Sequence, residues 1–182
     1  ALTEIQLHEF MQFDRKDPGI IDGLYQAALL AWPNAQQMRY RLAMRWFQQG
    51  KTEQAMNALE RLLAIAPANP DALNAYGYTL AKELDKPRQA FKPLQQAYYL
   101  APEQSEILDS YGYVLHRMGR HQEALPPLQK AWETTPSAVT AGHLVKVYWQ
   151  LGDKRQAQDF LNKGLELDAQ EAELIKLKEL LP

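Results

Sequence analysis

A repeat of about 34 residues constrains this chain more than any other feature of its sequence. Pro33, Pro67, Pro102 and Pro136 are separated by 34, 35 and 34 residues, and each follows a helical pattern. Proline there ends one element and fixes the turn into the next. Ala55, Ala90, Ala124 and Ala157 recur at 35, 34 and 33, and Leu59, Leu94, Leu128 and Leu161 keep the same step. A third ladder sets a large residue beside a smaller one: Leu42-Ala43, Tyr76-Gly77, Tyr111-Gly112 and Leu144-Val145.

The clearest copy runs from Ser105 to Pro136. Ile107, Leu108, Tyr111, Val114 and Leu115 form the apolar stripe of one amphipathic helix, which Gly119 ends. Ala124, Leu125, Leu128, Ala131 and Trp132 form the stripe of a second, which Pro136 stops. The unit is a helical hairpin that cannot bury its stripes alone, so copies must stack. The small residue of each ladder lets two helix backbones approach, and the large one fills the gap against the neighbouring hairpin. Leu63, Tyr98, Trp132 and Leu165 share one place in the second helices and are expected to pack on the next hairpin.

On these residues the chain resembles the tetratricopeptide repeat family: a large residue followed by Gly, an early Ala in the second helix and a terminal Pro, in Tyr111-Gly112, Ala124 and Pro136 and again in Tyr76-Gly77, Ala90 and Pro102. The resemblance implies an all-α, right-handed superhelical solenoid of antiparallel helix hairpins. First helices would line a concave groove and second helices a convex wall. A single domain over 1–182 is expected, with repeats at 36–69, 70–104, 105–137 and 138–170. Residues 1–35 read as a degenerate hairpin whose first helix is Leu2 to Phe13, with Ile5, Phe10 and Phe13. Residues 171–182 read as a capping helix with Leu174, Leu177 and Leu181 on one face.

Three departures stand out. The turn Glu83-Leu84-Asp85-Lys86-Pro87 is one residue longer than its equivalents and lacks their glycine (Gly50, Gly119, Gly152). Ala169 replaces the terminal proline of the last repeat, so that its second helix is expected to run straighter into the C-terminal segment. Pro93, Pro126 and Pro127 fall inside second-helix patterns, where each removes a backbone hydrogen bond and favours a bend.

Composition narrows the function. A net charge of −2 with both signs dispersed provides no basic stripe for nucleic acid. The absence of cysteine excludes disulfides, thiolate metal sites and thiol nucleophiles. No apolar run reaches the roughly 18 residues of a membrane helix. His8, His116, His121 and His143 show no metal-ligand spacing on one helix face, and no phosphate-cradling loop or nucleophile elbow is present. We expect no metal, no cofactor and no enzymatic activity. Because the chain begins at Ala1, a removed leader, lipid anchor or upstream domain stays open.

Placing the repeats as the resemblance implies, the groove-facing residues are Tyr40, Met44 and Phe47, then Asn74, Tyr78 and Lys82. Asp109, Tyr113, His116 and Arg117 come next, then Lys146, Trp149 and Gln150. Tyr78 and Tyr113 occupy equivalent places one repeat apart. They read either as anchors for a ligand or as filler between repeats. Arg117 and Lys146 would orient acidic groups, and His116 beside Arg117 suits a carboxylate. The basic clamp with which some family members grip chaperone tails is not supplied, because Tyr40, Met44, Ala75, Glu106 and Ser110 stand where it would be. The expected role is a scaffold or adaptor that binds a protein or peptide segment. A module that self-associates through its ends or convex face is the alternative. Residues 71–169 are also similar to the terminal repeats of bacterial family members, some of them envelope lipoprotein adaptors. That similarity implies a bacterial origin and favours periplasm or outer membrane slightly over cytoplasm.

Overall fold

The computed structural model describes residues 18–180, which form ten α-helices and no strand. In chain order these are α1 (Pro18–Ala31), α2 (Gln36–Gln48), α3 (Thr52–Ile65), α4 (Pro70–Lys82) and α5 (Pro87–Leu100), then α6 (Ser105–Arg117), α7 (His121–Thr134), α8 (Ala138–Gln150), α9 (Lys154–Leu167) and α10 (Ala172–Leu180). This is the all-α hairpin architecture expected from the period. The expected helix from Leu2 to Phe13, and Leu181, lie outside the described residues. The chain divides within α4 into an N-terminal unit, Ala1–Tyr76, and a C-terminal unit, Gly77–Pro182.

In the N-terminal unit, Ile21, Tyr25 and Ala28 of α1 pack on Met38 and Leu42 of α2. The other side of α2 places Ala43 against Ala58, Leu59 and Leu62 of α3 and Ala72 of α4. A buried carboxylate ties α1 to α2 and to the turn after it: Asp22 accepts from Arg45 Nε at 3.0 Å and Gln49 Nε2 at 3.2 Å, and pairs with Lys51 Nζ at 3.5 Å. A buried charge with this many partners is held in place, whereas an unpaired one would be expelled.

In the C-terminal unit the core runs through Leu115, Ala124, Leu128, Leu144, Val145, Ala157 and Leu161 and is closed by Leu174 and Leu177 of α10. These two leucines seat α10 on the core of the unit. Ladder residues take the expected places. Tyr111 of α6 stacks on Tyr98 of α5 at 4.7 Å, and Trp132 of α7 meets Phe160 of α9 edge-on at 5.4 Å. The glycine beside Tyr111 is required by contact: a Cβ on Gly112 would lie 2.5 Å from Leu128 Cγ and 3.1 Å from the Ala124 carbonyl oxygen.

The long turn after α4 closes differently from its equivalents. Elsewhere the chain leaves a first helix with a bond spanning five residues, as in Arg120 N to Leu115 O at 2.9 Å and Asp153 N to Tyr148 O at 3.0 Å. After α4 the bond is Lys86 N to Leu80 O at 2.7 Å, which absorbs the extra residue. Asp85 takes the left-handed conformation at φ 53°, where Gly119 has φ 77°. Aspartate tolerates that region better than most side chains. Helices α5 and α7 continue unbroken across Pro93, Pro126 and Pro127.

The expectation for Ala169 is corrected. Helix α9 stops at Leu167, with Asp168 extended at ψ 99°, as α7 stops before Thr135 at ψ 93°. Asp168 Oδ1 accepts from Gln170 N at 2.9 Å, an Asx turn that ends the helix without proline.

Two glycines on first helices separate contact from propensity. Gly112→Ala is expected to cost about 1–3 kcal/mol by overpacking. Gly142, whose added Cβ would meet Leu174 Cδ2 at an ordinary 3.6 Å, should gain about 0.5–1 kcal/mol as Ala. Urea denaturation of the two variants checks both signs.

Candidate functional site

The repeat step puts first-helix residues at equivalent register positions. Tyr40, Asn74, Asp109 and His143 form one ladder at 34, 35 and 34 residues, and Met44, Tyr78, Tyr113 and Val147 form the next. Gln48, Lys82, Arg117 and Leu151 lie one turn on. In the C-terminal unit these ladders build a connected polar and aromatic cluster across α4, α6 and α8.

Its centre is Tyr113. The ring lies 5.6 Å from that of Tyr78 and 4.5 Å from that of His143, and the hydroxyl accepts from Arg117 Nη1 at 2.7 Å. The same nitrogen donates to the Ala81 carbonyl at 2.9 Å, while Nη2 pairs with the Asp85 carboxylate. Arg117 thus fastens α6 to the end of α4 and to the unusual turn after it. Beneath the rings, His143 Nδ1 lies 3.0 Å from both oxygens of Asp109, and both residues are buried. Tyr78 and Lys82 are bonded to each other, with Lys82 Nζ 5.2 Å from the ring centre. Burial raises the Tyr78 pKa, against the pull of Lys82. For Lys82, burial is the largest single influence and lowers the pKa, but the hydrogen bond to Tyr78 and the charges of Tyr78, Glu83 and Tyr113 together outweigh it, and the net shift is upward.

A second knot adjoins it. His116 and His121 face each other through Nδ1 atoms 3.1 Å apart, so one ring donates and the other accepts. Burial, followed by the positive groups His121, Lys146, His143 and Arg117, lowers the His116 pKa to about 4. Lys146 pairs with Glu173 of α10 at 2.6 Å and holds that carboxyl below its usual range.

These positions revise the roles expected from the sequence. Tyr113 and Asp109 are 6% and 8% exposed, because the next first helix packs over them, so they form the floor of the face and not its surface. Arg117 and Lys146 already hold the carboxylates of Asp85 and Glu173, and His116 holds His121 instead of a free acid. Tyr78 is half-buried and Lys82 exposed, with no ion pair to Lys82 among the described residues. Trp149 packs on the core beside Lys154, whose Nζ is 5.2 Å from its ring. Asn74, one turn ahead of Tyr78 on α4, has a buried Oδ1 without a hydrogen-bond partner. Tyr40 and Met44 belong to the N-terminal unit. Both pack around Ala43 and Leu59, and Tyr40 also lines an open groove of about 680 Å³ with Trp32, Gln36 and Asn69.

The sequence reading missed His143 as the partner of Asp109, although the two stand one repeat step apart. It also missed Asp85, whose distance along the chain from Arg117 gave no signal. Among the described residues no three His, Asp or Glu side chains come together as metal ligands, and no helix is long and apolar enough to cross a membrane.

Stacked helical hairpins whose first helices carry a polar and aromatic face define a repeat scaffold. Two tetratricopeptide repeat models match the chain, one over residues 37–69 and the other over residues 115–181, and the chain carries tetratricopeptide repeats there. Among solved structures, YrrB, described as a tetratricopeptide repeat protein with an unusual peptide-binding site, is 20% identical with a TM-score of 0.71, the match covering 97% of this chain and 92% of that one. MamA from Desulfovibrio magneticus RS-1 is 16% identical with a TM-score of 0.75, covering 94% and 99%. TTC0263 from Thermus thermophilus is 19% identical with a TM-score of 0.69, covering 97% and 94%. At these identities the likeness establishes the fold. No curated protein matches the sequence.

Two outcomes are expected from the buried groups. Unfolded His116 takes up a proton near pH 6.5 and the folded residue only near pH 4, so stability should fall as pH drops through that window and be unaffected by this group above it. Thermal melts across the window should show a shallower decline for His116→Asn than for wild type. Asp109→Ala, which strands the His143 Nδ1–H, is expected to cost about 2–4 kcal/mol in urea denaturation.

Proposed function

We propose that the chain is a scaffold that binds a peptide or extended segment of a partner protein on the first-helix face of its C-terminal unit. The observation that carries this reading is the buried Asp109–His143 pair beneath Tyr113, beside Arg117. A repeat needs only alanine and leucine at such positions to stack, and apolar side chains of similar volume would stack as stably or more so. The polar floor serves instead to fix the rings above it in one arrangement.

On that floor Tyr78 is the anchor: a large side chain with a polar tip, half-exposed and held on one side by Tyr113. Lys82 is the cation at hand for an acidic group of the ligand. Arg117 and Lys146, with carboxylates of their own, position the face and exchange partners only if the ligand's acid competes. Tyr113, Asp109 and His116 act through packing. Tyr40, Met44, Asn74 and Trp149 are retained as flanking contacts. Family repeats typically mediate protein–protein interaction, and YrrB is described with a peptide-binding site, which supports the reading. The proposed binding invokes no cofactor, metal or catalytic step. We extend the proposal to a partner of the cell envelope on the resemblance read in residues 71–169 to bacterial family members, some of them envelope lipoprotein adaptors.

Peptides selected by the full chain from a random display library provide the ligand, and fluorescence anisotropy its affinity, expected to be on the order of micromolar. Tyr78→Ala should weaken binding about tenfold or more, and Lys82→Ala should act mainly on acidic peptides. Unchanged affinity in both variants would contradict the proposed face.

A further inference from the structure

The N-terminal unit contains a site that uses none of these residues. An open groove of about 370 Å³ lies between α1 and α3 over α2. Among the described residues its charged lining is two arginines, Arg39 of α2 and Arg61 of α3, with no carboxylate. Arg39 Nη2 donates to the Pro33 carbonyl at 2.7 Å, but its Nε is buried and has no hydrogen-bond partner. Burial and the charge of Arg61 both lower the Arg39 pKa, so the two guanidiniums stand close enough to repel. Arg61 makes no ion pair among the described residues, and the buried carboxylate of this unit, Asp22, is engaged by Arg45, Gln49 and Lys51.

The rest of the lining fits one kind of occupant. Leu29, Leu30 and Trp46 form an apolar strip, and Leu30 is 85% exposed. Gln26 on the α1 side and Gln54 and Asn57 on the α3 side supply amides, each both donor and acceptor. A peptide backbone presents the same alternation of donors and acceptors.

We propose that this groove binds an extended segment of a partner protein carrying an acidic side chain next to an aliphatic one. The carboxylate offsets the repulsion between Arg39 and Arg61, as planar guanidinium recognition of carboxylates does elsewhere. The aliphatic neighbour covers Leu30 and Trp46.

The test is NMR titration of the full chain with two probes, acetyl-Leu-Glu-Leu-Glu-amide and its uncharged counterpart acetyl-Leu-Gln-Leu-Gln-amide. The Trp46 indole and Arg39 Nε–H signals are followed, with Trp46→Phe supplying the indole assignment. The acidic probe should shift both signals and saturate, with the uncharged one about fivefold or more weaker. Arg61→Gln, at an exposed position where the fold is not at stake, should weaken the acidic probe about fivefold and leave the uncharged one unchanged. Arg39→Lys, which keeps the charge and removes the fork, should weaken the acidic probe as well. Equal binding of the two probes, no shift at several-millimolar probe, or acidic binding unaltered in both variants would overturn the proposal. So would shifts that track protein concentration without peptide, which would give the groove to a second copy of the chain.

Discussion

The close approach of two helices within each hairpin is the contact on which the other features depend. Gly112 lies against Leu128 and the Ala124 carbonyl at distances that admit no side chain, and Gly77 meets Leu94 and Ala90 in the same way. A hairpin closed this tightly presents its remaining large residues, such as Tyr111 and Trp132, outward to the next hairpin. Stacking at a nearly constant step then results, because each copy offers the same edge to its neighbour. With the step set, Tyr78 meets Tyr113 and Asp109 meets His143. The site is a consequence of register: no loop or insertion builds it, apart from the one long turn that carries Asp85 to Arg117.

That dependence explains what the sequence disclosed. Helices, turns and stacking residues were legible because each rests on a local rule repeated several times. Proline stops a helix, glycine permits a left-handed turn or a close contact, and an apolar stripe marks the buried face. Ala169 misled because proline was taken as the signal for the helix end, whereas the Asx turn of Asp168 serves as well. The ionic partners were less legible. Arg117 and Lys146 look free when only the groove-facing positions of their helices are considered. Whether a long cation meets a neighbouring carboxylate depends on side-chain torsions and on turn geometry, which spacing does not encode. Asp22, collected by three donors 23 to 29 residues away, is the extreme case. The Asp109–His143 pair could have been found, since both stand on the same rung of successive repeats.

The two units distribute charge in opposite ways. In the C-terminal unit, Arg117 and Lys146 are neutralised by Asp85 and Glu173, and His116 is kept uncharged at neutral pH by burial and by its cationic surroundings. The face is aromatic, and Arg117 and Lys146 on it are paired with carboxylates. A balanced surface gains little from long-range attraction and relies on shape and aromatic contact, which favours specificity over rate of encounter. In the N-terminal unit, Arg39 and Arg61 have no carboxylate partner among the described residues, and Leu30 stands almost fully in solvent.

The place where a bound peptide lies decides between the first-helix face and the second helices. A benzophenone side chain placed at position 78, on the proposed face, and in a second variant at position 99, where the second-helix residue Tyr99 is 71% exposed, gives the most direct reading. The variants are irradiated with a peptide selected by the wild-type chain, and adducts are scored by mass. Recognition by the first helices predicts cross-linking from position 78, abolished by excess unlabelled peptide, and none from position 99. Competed cross-linking from position 99 alone would contradict it and move recognition to the second helices.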